Sequence, residues 1–159
     1  MAIEYELTGQ PMAVMNAMAG RAEYLYHILK VMDEAGIENA DEILKKAIYE
    51  VGKIRAKKIG DVKDARELWD KFLTADLRQI FKVECVRDTE DEVELYFYGC
   101  PLVWCWEQMD TAPEMMERLC NIARQIECGY VESFPFGLEM KTQLGKGDDR
   151  CTLLVKKKK

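Results

Sequence analysis

The feature that most constrains this chain is a change of hydrophobic period near residue 80. Before it, apolar residues recur at three- and four-residue steps: Val14, Met18, Ala22, Leu25, Ile28, Leu29 and Met32 form the first stripe. That spacing marks one face of an α-helix. Pro11 suits a first turn and Gly36 a stop, so a helix is expected over residues 11–35. A second helix is expected over 40–59, with Leu44, Ala47, Ile48, Val51 and Ile54 as its stripe and Gly60 beyond its end. Its acidic start (Asp41, Glu42) and basic end (Lys53, Arg55, Lys57, Lys58) complement the helix dipole. A third helix is expected over 63–75, carrying Ala65, Leu68, Trp69 and Phe72.

After that the period is two. Phe81, Val83 and Cys85 alternate with polar residues, and so do Val93, Leu95 and Phe97 beyond the acidic loop at 88–91. Two such runs around a short polar loop predict an antiparallel hairpin. A short helix with Leu102, Val103, Trp104 and Trp106 should follow Cys100-Pro101. Thr111-Ala-Pro-Glu114 has the form of a capping box opening a further helix, with Met115, Leu119, Ile122, Ala123 and Ile126 on its face. A second hairpin should close the chain, with Leu138, Met140 and Thr142 on one arm and Cys151, Leu153 and Val155 on the other. The glycines of the connection Gly145-Lys-Gly-Asp-Asp149 are explained as a turn, since no helix or Lys-Ser/Thr ending follows them. The expected fold is α+β: a helical N-terminal half packed against an antiparallel sheet built from two hairpins. With 159 residues and no linker or repeat, residues 1–159 read as a single domain.

Composition narrows the function. The net charge of −6 works against binding a polyanion, so nucleic acid is not an expected partner. The longest apolar run, 96–106, is interrupted by Gly99 and Pro101 and is too short to span a bilayer. The N-terminus lacks a secretory pattern, and the closing lysines at 156–159 read as a frayed, solvated end rather than a membrane contact. The six cysteines then read as free thiols in a reducing cytoplasm. They include no Cys-x-x-Cys pair, so no metal site is expected, and no motif assigns a cofactor. A small organic ligand is the expected partner, with homo-oligomerisation left open.

Two residues bear most on chemistry. His27 is the only histidine, and is either an acid/base group or a polar residue at the core edge. Cys100 follows a strand and Gly99 and precedes Pro101 at a helix start, where backbone N–H groups and the dipole favour a thiolate. It is either an activated nucleophile or a small residue buried at a turn. Trp104, Trp106, Phe134 and Phe136 either line a ligand cavity or belong to the core.

Several segments together resemble the L-2-amino-thiazoline-4-carboxylic acid hydrolase family. They are Tyr24-Leu-Tyr-His-Ile-Leu29, Ala47-Ile-Tyr-Glu-Val-Gly-Lys-Ile-Arg55, Cys100-Pro101 after a strand, Cys120 in the next helix, and Gly147-Asp-Asp-Arg-Cys151. The chain departs from that pattern in Cys105, Cys128 and the aromatic Val103-Trp-Cys-Trp106 segment. A fainter likeness is to 4-vinyl-reductase-type domains, regarded as small-molecule-binding modules. The first resemblance implies ring-opening hydrolysis of a cyclic amidine-like acid to a carbamoyl-cysteine. In such a site Cys100 is the candidate nucleophile, His27 or Glu107 the acid/base, Arg55 the anchor for a substrate carboxylate, and Trp104 a further substrate contact. The second implies that the same residues hold a ligand without turnover.

Overall fold

The computed structural model describes residues 3–158. Met1 and Ala2, the start of the N-terminal segment read above, and Lys159, the last of the lysine run, lie outside the described residues. The elements are α1 (Gly9–Glu34), α2 (Ala40–Ile59), α3 (Ala65–Phe72), α4 (Ala75–Ile80), β1 (Val83–Asp88), β2 (Glu92–Phe97), α5 (Pro101–Gln108), α6 (Pro113–Ala123), α7 (Gln125–Glu132), β3 (Phe136–Met140) and β4 (Cys151–Lys157). Helices beside one antiparallel sheet make the fold α+β, as the change of period predicts.

Two of the short helices, α3 and α4, start where a side chain satisfies a free N–H group. Asp64 accepts from the Glu67 N–H at 2.8 Å and opens α3. The expected third helix does not run on to residue 75. Leu73 turns extended and buries its side chain, and Thr74 then caps a separate α4 by accepting from the Leu77 N–H. Phe81 ends α4 instead of entering the strand, and Lys82 takes a positive φ of 48° before β1 begins. The expected capping box at 111–114 is also absent. Ala112 is the residue before α6, Pro113 opens the helix, and the Thr111 hydroxyl is buried without a partner. The helix expected through Ile126 ends at Ala123, and α7 follows as a separate helix.

The two hairpins join into one sheet of order β1-β2-β4-β3. The join is β2 against β4, with Val93 opposite Val155 and Phe97 opposite Cys151. The closing lysines are not frayed: Lys156 and Lys157 lie in β4 opposite Glu92 and Phe136, and the Lys158 N–H donates to the Pro135 carbonyl. β1 is an edge strand whose side chains beyond Val83 are exposed, so Cys85 faces solvent despite its alternating pattern.

Side chains pack into two hydrophobic clusters. One joins α1, the start of α2, α5 and α6 through Leu25, Leu29, Leu44, Trp106, Leu119 and Ile122. The other lies between the sheet and α3 and α7, around Leu68, Trp69, Leu95, Tyr130, Phe136 and Val155. The helices α2 and α7 make the most extensive contact between any two elements, and two glycines permit it. A methyl group on Gly52 would overlap the Ile126 carbonyl, and one on Gly129 the Tyr49 carbonyl. Glycine is required at both positions for close approach rather than for flexibility.

Candidate functional site

The seam between the two clusters gathers residues that are far apart in sequence. Cys100 and Cys120 pack against the first cluster and Cys151 against the second. Their thiols sense one another's charge, and Glu127 of α7 faces both Cys120 and Cys151. Arg55 of α2 and Arg124, between α6 and α7, act in turn on Glu127. Four separate stretches of chain, around residues 55, 100, 120–127 and 151, therefore converge on one polar patch.

Local structure positions each member. Pro101 opens α5, and Cys100 sits just before it in extended conformation. The Cys151 thiol accepts from the Leu144 N–H at 3.4 Å. Gly145 lies so close to Cys120 that a side chain there would collide with its sulfur. The glycine that reads from sequence as a simple turn residue is thus shaped by Cys120. Gly147, with a φ of 87°, meets the conformational demand of the turn itself.

The electrostatics reverse one expectation. The Leu102 and Val103 N–H groups at the start of α5 do favour a Cys100 thiolate, as a helix terminus should. Burial outweighs them, with the neighbouring Cys120 and Cys151 adding to it, and the Cys100 thiol is pushed well above its ordinary value. Burial likewise pushes Cys120 up to about 12 and Cys151 up to about 11. All three are neutral thiols at neutral pH.

Glu127 behaves differently. Burial raises its carboxyl to about 7, with Arg55 and Arg124 opposing the rise. A carboxyl poised at neutrality can take up and return a proton. Arg55 is half-buried; burial, and then Arg21 across from it on α1, pull its pKa down. Arg66, Arg78, Arg87, Arg118 and Arg150 each pair with a carboxylate. Arg55 and Arg124 form no ion pair among the described residues, and the Arg124 Nε is buried without an acceptor. Two partly buried cations whose nearby carboxyl, Glu127, is not in direct ion-pair contact with either are suited to an anionic group. Nothing in the sequence pattern marks Glu127 or Arg124 beyond their places, Arg124 four residues from both Cys120 and Cys128 and Glu127 just before Cys128.

The remaining sequence candidates lie elsewhere. His27 is exposed on α1, with its ring edge-on to Tyr26 at 5.1 Å. Glu107 accepts from the Ile3 N–H at 3.1 Å and lines an open groove of about 380 Å³ with Val103, Thr111, Met116 and Leu144. Gly145 lines that groove too, so the 144–147 turn separates it from the Cys120 thiol. Trp104 is half-buried and stands edge-on to Tyr5 at 6.4 Å. The Tyr5 hydroxyl donates to the Ile80 carbonyl at 2.6 Å, and its environment includes both Cys100 and Glu107. Among the described residues, no group of three or more His, Cys, Asp or Glu side chains is placed to hold a metal ion. No described helix is long and apolar enough to cross a membrane.

A helical layer on an antiparallel sheet, with a half-buried patch of thiols, a titratable carboxyl and unpaired arginines, defines a small α+β domain with a polar interior site. The profile of the L-2-amino-thiazoline-4-carboxylic acid hydrolase family matches residues 15–155, and the chain belongs to that family. No curated protein matches it in sequence. Among solved structures, a trafficking protein particle complex subunit 3 from Naegleria fowleri, covalently bound to palmitic acid, superposes with a TM-score of 0.58 at 15% identity. That match covers 93% of this chain and 97% of the other. The phenol-responsive sensory domain of the transcription activator PoxR, solved with phenol, superposes with a TM-score of 0.51 at 12% identity, covering 87% of this chain and 73% of that one. At these identities the likeness is one of fold.

Proposed function

We propose that this chain hydrolyses a small cyclic amidine-like acid of the thiazoline-carboxylate type, with Glu127 as the acid/base and Arg55 and Arg124 holding the substrate carboxylate. The observation that carries this reading is the half-buried Glu127 carboxyl, raised to about 7, near two arginines that make no direct ion pair, one of them with a buried Nε lacking an acceptor. In the proposed turnover, Glu127 accepts a proton from water as its oxygen attacks the ring carbon between nitrogen and sulfur. The proton is returned to the ring nitrogen. Collapse of the tetrahedral carbon breaks the carbon–sulfur bond, and the hydroxyl proton passes through the same carboxyl to the departing thiolate. The product is a carbamoyl-cysteine. Water is favoured over Cys100 as the nucleophile because burial keeps that thiol neutral. His27, exposed on α1, and Glu107, held by the Ile3 N–H, are given no step. The six thiols, none of them bonded to another, are compatible with a reducing cytoplasmic setting.

Incubation with L-2-amino-thiazoline-4-carboxylate should release one thiol per turnover, read with a chromogenic thiol reagent. Glu127→Gln should abolish release, and kcat/KM should rise with pH through about 7 as the carboxyl ionises. Arg55→Ala should raise KM about ten-fold or more, the loss expected of a charge-assisted bond to a carboxylate.

A second reading, a non-catalytic binding module, is favoured by the phenol-responsive sensory domain, which shares the fold and was solved with phenol. Calorimetric binding of the thiazoline acid with no thiol released by the wild type would select that reading and refute hydrolysis.

A further inference from the structure

The α1–α2 hairpin leaves an apolar face uncovered. Among the described residues the exposed large apolar side chains are nine, and six of them lie on these two helices: Tyr24, Ile28 and Val31 on α1, and Ile43, Val51 and Ile54 on α2. Tyr24 is 74% exposed, Val31 60% and Ile54 52%. Spacings of three, four, seven and eight residues place each set on one stripe of its helix, with exposed Ala17 and Ala47 completing the stripes. The two helices also run side by side. The turn at 35–39 returns α2 antiparallel to α1, Arg21 and Arg55 face each other across the pair, and Leu25, Leu29 and Leu44 bury the opposite faces in one cluster. Burial inside the chain therefore accounts for one face of each helix and leaves the other unexplained.

We infer that this face is a two-fold interface with a second copy of the same chain. Size is the first argument. The exposed parts of the six side chains sum to roughly 600 Å², the upper end of what a monomer ordinarily leaves bare. Two copies meeting there remove about 1,200 Å² from these side chains alone, which reaches the range of specific interfaces. Charge is the second. The rim carries both signs on each helix: exposed Arg21, Glu23, Lys30 and Glu34 on α1, and Glu42, Lys46, Glu50, Lys57 and Lys58 on α2. A mixed rim pairs with its own copy when the helices are related by a two-fold axis. A face meant for a lipid surface would instead be edged with lysine and arginine.

The test is sedimentation velocity and equilibrium of the full chain over a wide concentration range, with variants chosen at positions too exposed to disturb the core. The wild type should sediment as a dimer. Tyr24→Ser and Ile54→Gln should each raise the dissociation constant about thirty-fold or more, as expected for an interface centre, while far-UV circular dichroism stays unchanged. Val86→Gln removes an exposed apolar residue from β1 and should leave the dimer intact. A wild type that is monomeric at every concentration overturns the inference. So does a dimer as sensitive to Val86→Gln as to Tyr24→Ser, or co-sedimentation of the wild type with phosphatidylcholine–phosphatidylserine vesicles.

Discussion

The two parts of the interior are built by different rules. On the sheet side, Leu68, Trp69, Leu95, Phe136 and Val155 are buried against one another, and the Tyr130 hydroxyl donates to the Leu68 carbonyl at 2.9 Å. Apart from the Trp69 Nε1, which has no partner, this region is apolar and satisfied. The seam holds three thiols, a carboxyl and two arginines, all half-buried. Filling the seam with apolar residues of matching volume would be neutral or stabilising, because a partly buried charge costs desolvation. Its polar composition is thus not explained by stability. The sheet side is packed for stability; the seam holds the titratable and charged groups.

Substitutions should separate the two regions, and the largest effect belongs to the sheet side. Trp69→Ala removes a large buried side chain and should cost about 3–5 kcal/mol in urea or guanidinium unfolding. A loss below about 1 kcal/mol would mean that this cluster is not the stabilising centre.

The seam should respond to pH instead. The Glu127 carboxyl is raised by burial to about 7 in the folded chain, against an ordinary glutamate value of 4.5. Between those values the folded state holds a proton that the unfolded state has released, so stability falls as pH rises through the window and levels off above it. The loss can reach about 3 kcal/mol. Glu127→Gln should remove this slope and make the protein more stable than wild type above pH 7. Identical pH–stability curves for the two proteins would show that Glu127 is not held in a low-dielectric seam.

The smallest effect is expected at Cys100. Serine there can accept from the N–H groups at the start of α5, so Cys100→Ser should change stability by less than about 1 kcal/mol. Its thiol should also be slow. Alkylation of the native protein at neutral pH should modify the exposed Cys85 before Cys100, Cys120 or Cys151. Cys100 reacting first would reverse the ranking of burial over helix dipole and restore it as the nucleophile.

Much of the fold is legible in the sequence because periodicity is a local property. The stripe from Val14 to Met32 specifies α1, and the alternation of Val93, Leu95 and Phe97 specifies β2, whatever they pack against. Local reading fails where a side chain's partner decides. Thr111 has the form of a cap yet caps nothing, and Cys85 alternates like a core residue on an edge strand exposed beyond Val83. Leu73 breaks a helix whose apolar pattern would have continued.

The site divides along the same line. By itself the sequence determined that Cys100 stands at a strand-to-helix corner and that Arg55 stands near the end of α2, since both follow from neighbours a few residues away. Only the tertiary structure decided that Cys100, Cys120 and Cys151 share one seam, that Glu127 lies near Cys120 and Cys151, and that Arg55 and Arg124 act on Glu127 without a direct ion pair. The physical reason is that a pKa depends on how much water and which charges surround a group. Those surroundings are assembled from α2, α5, α6, α7 and β4, across a hundred residues of chain that no local pattern connects.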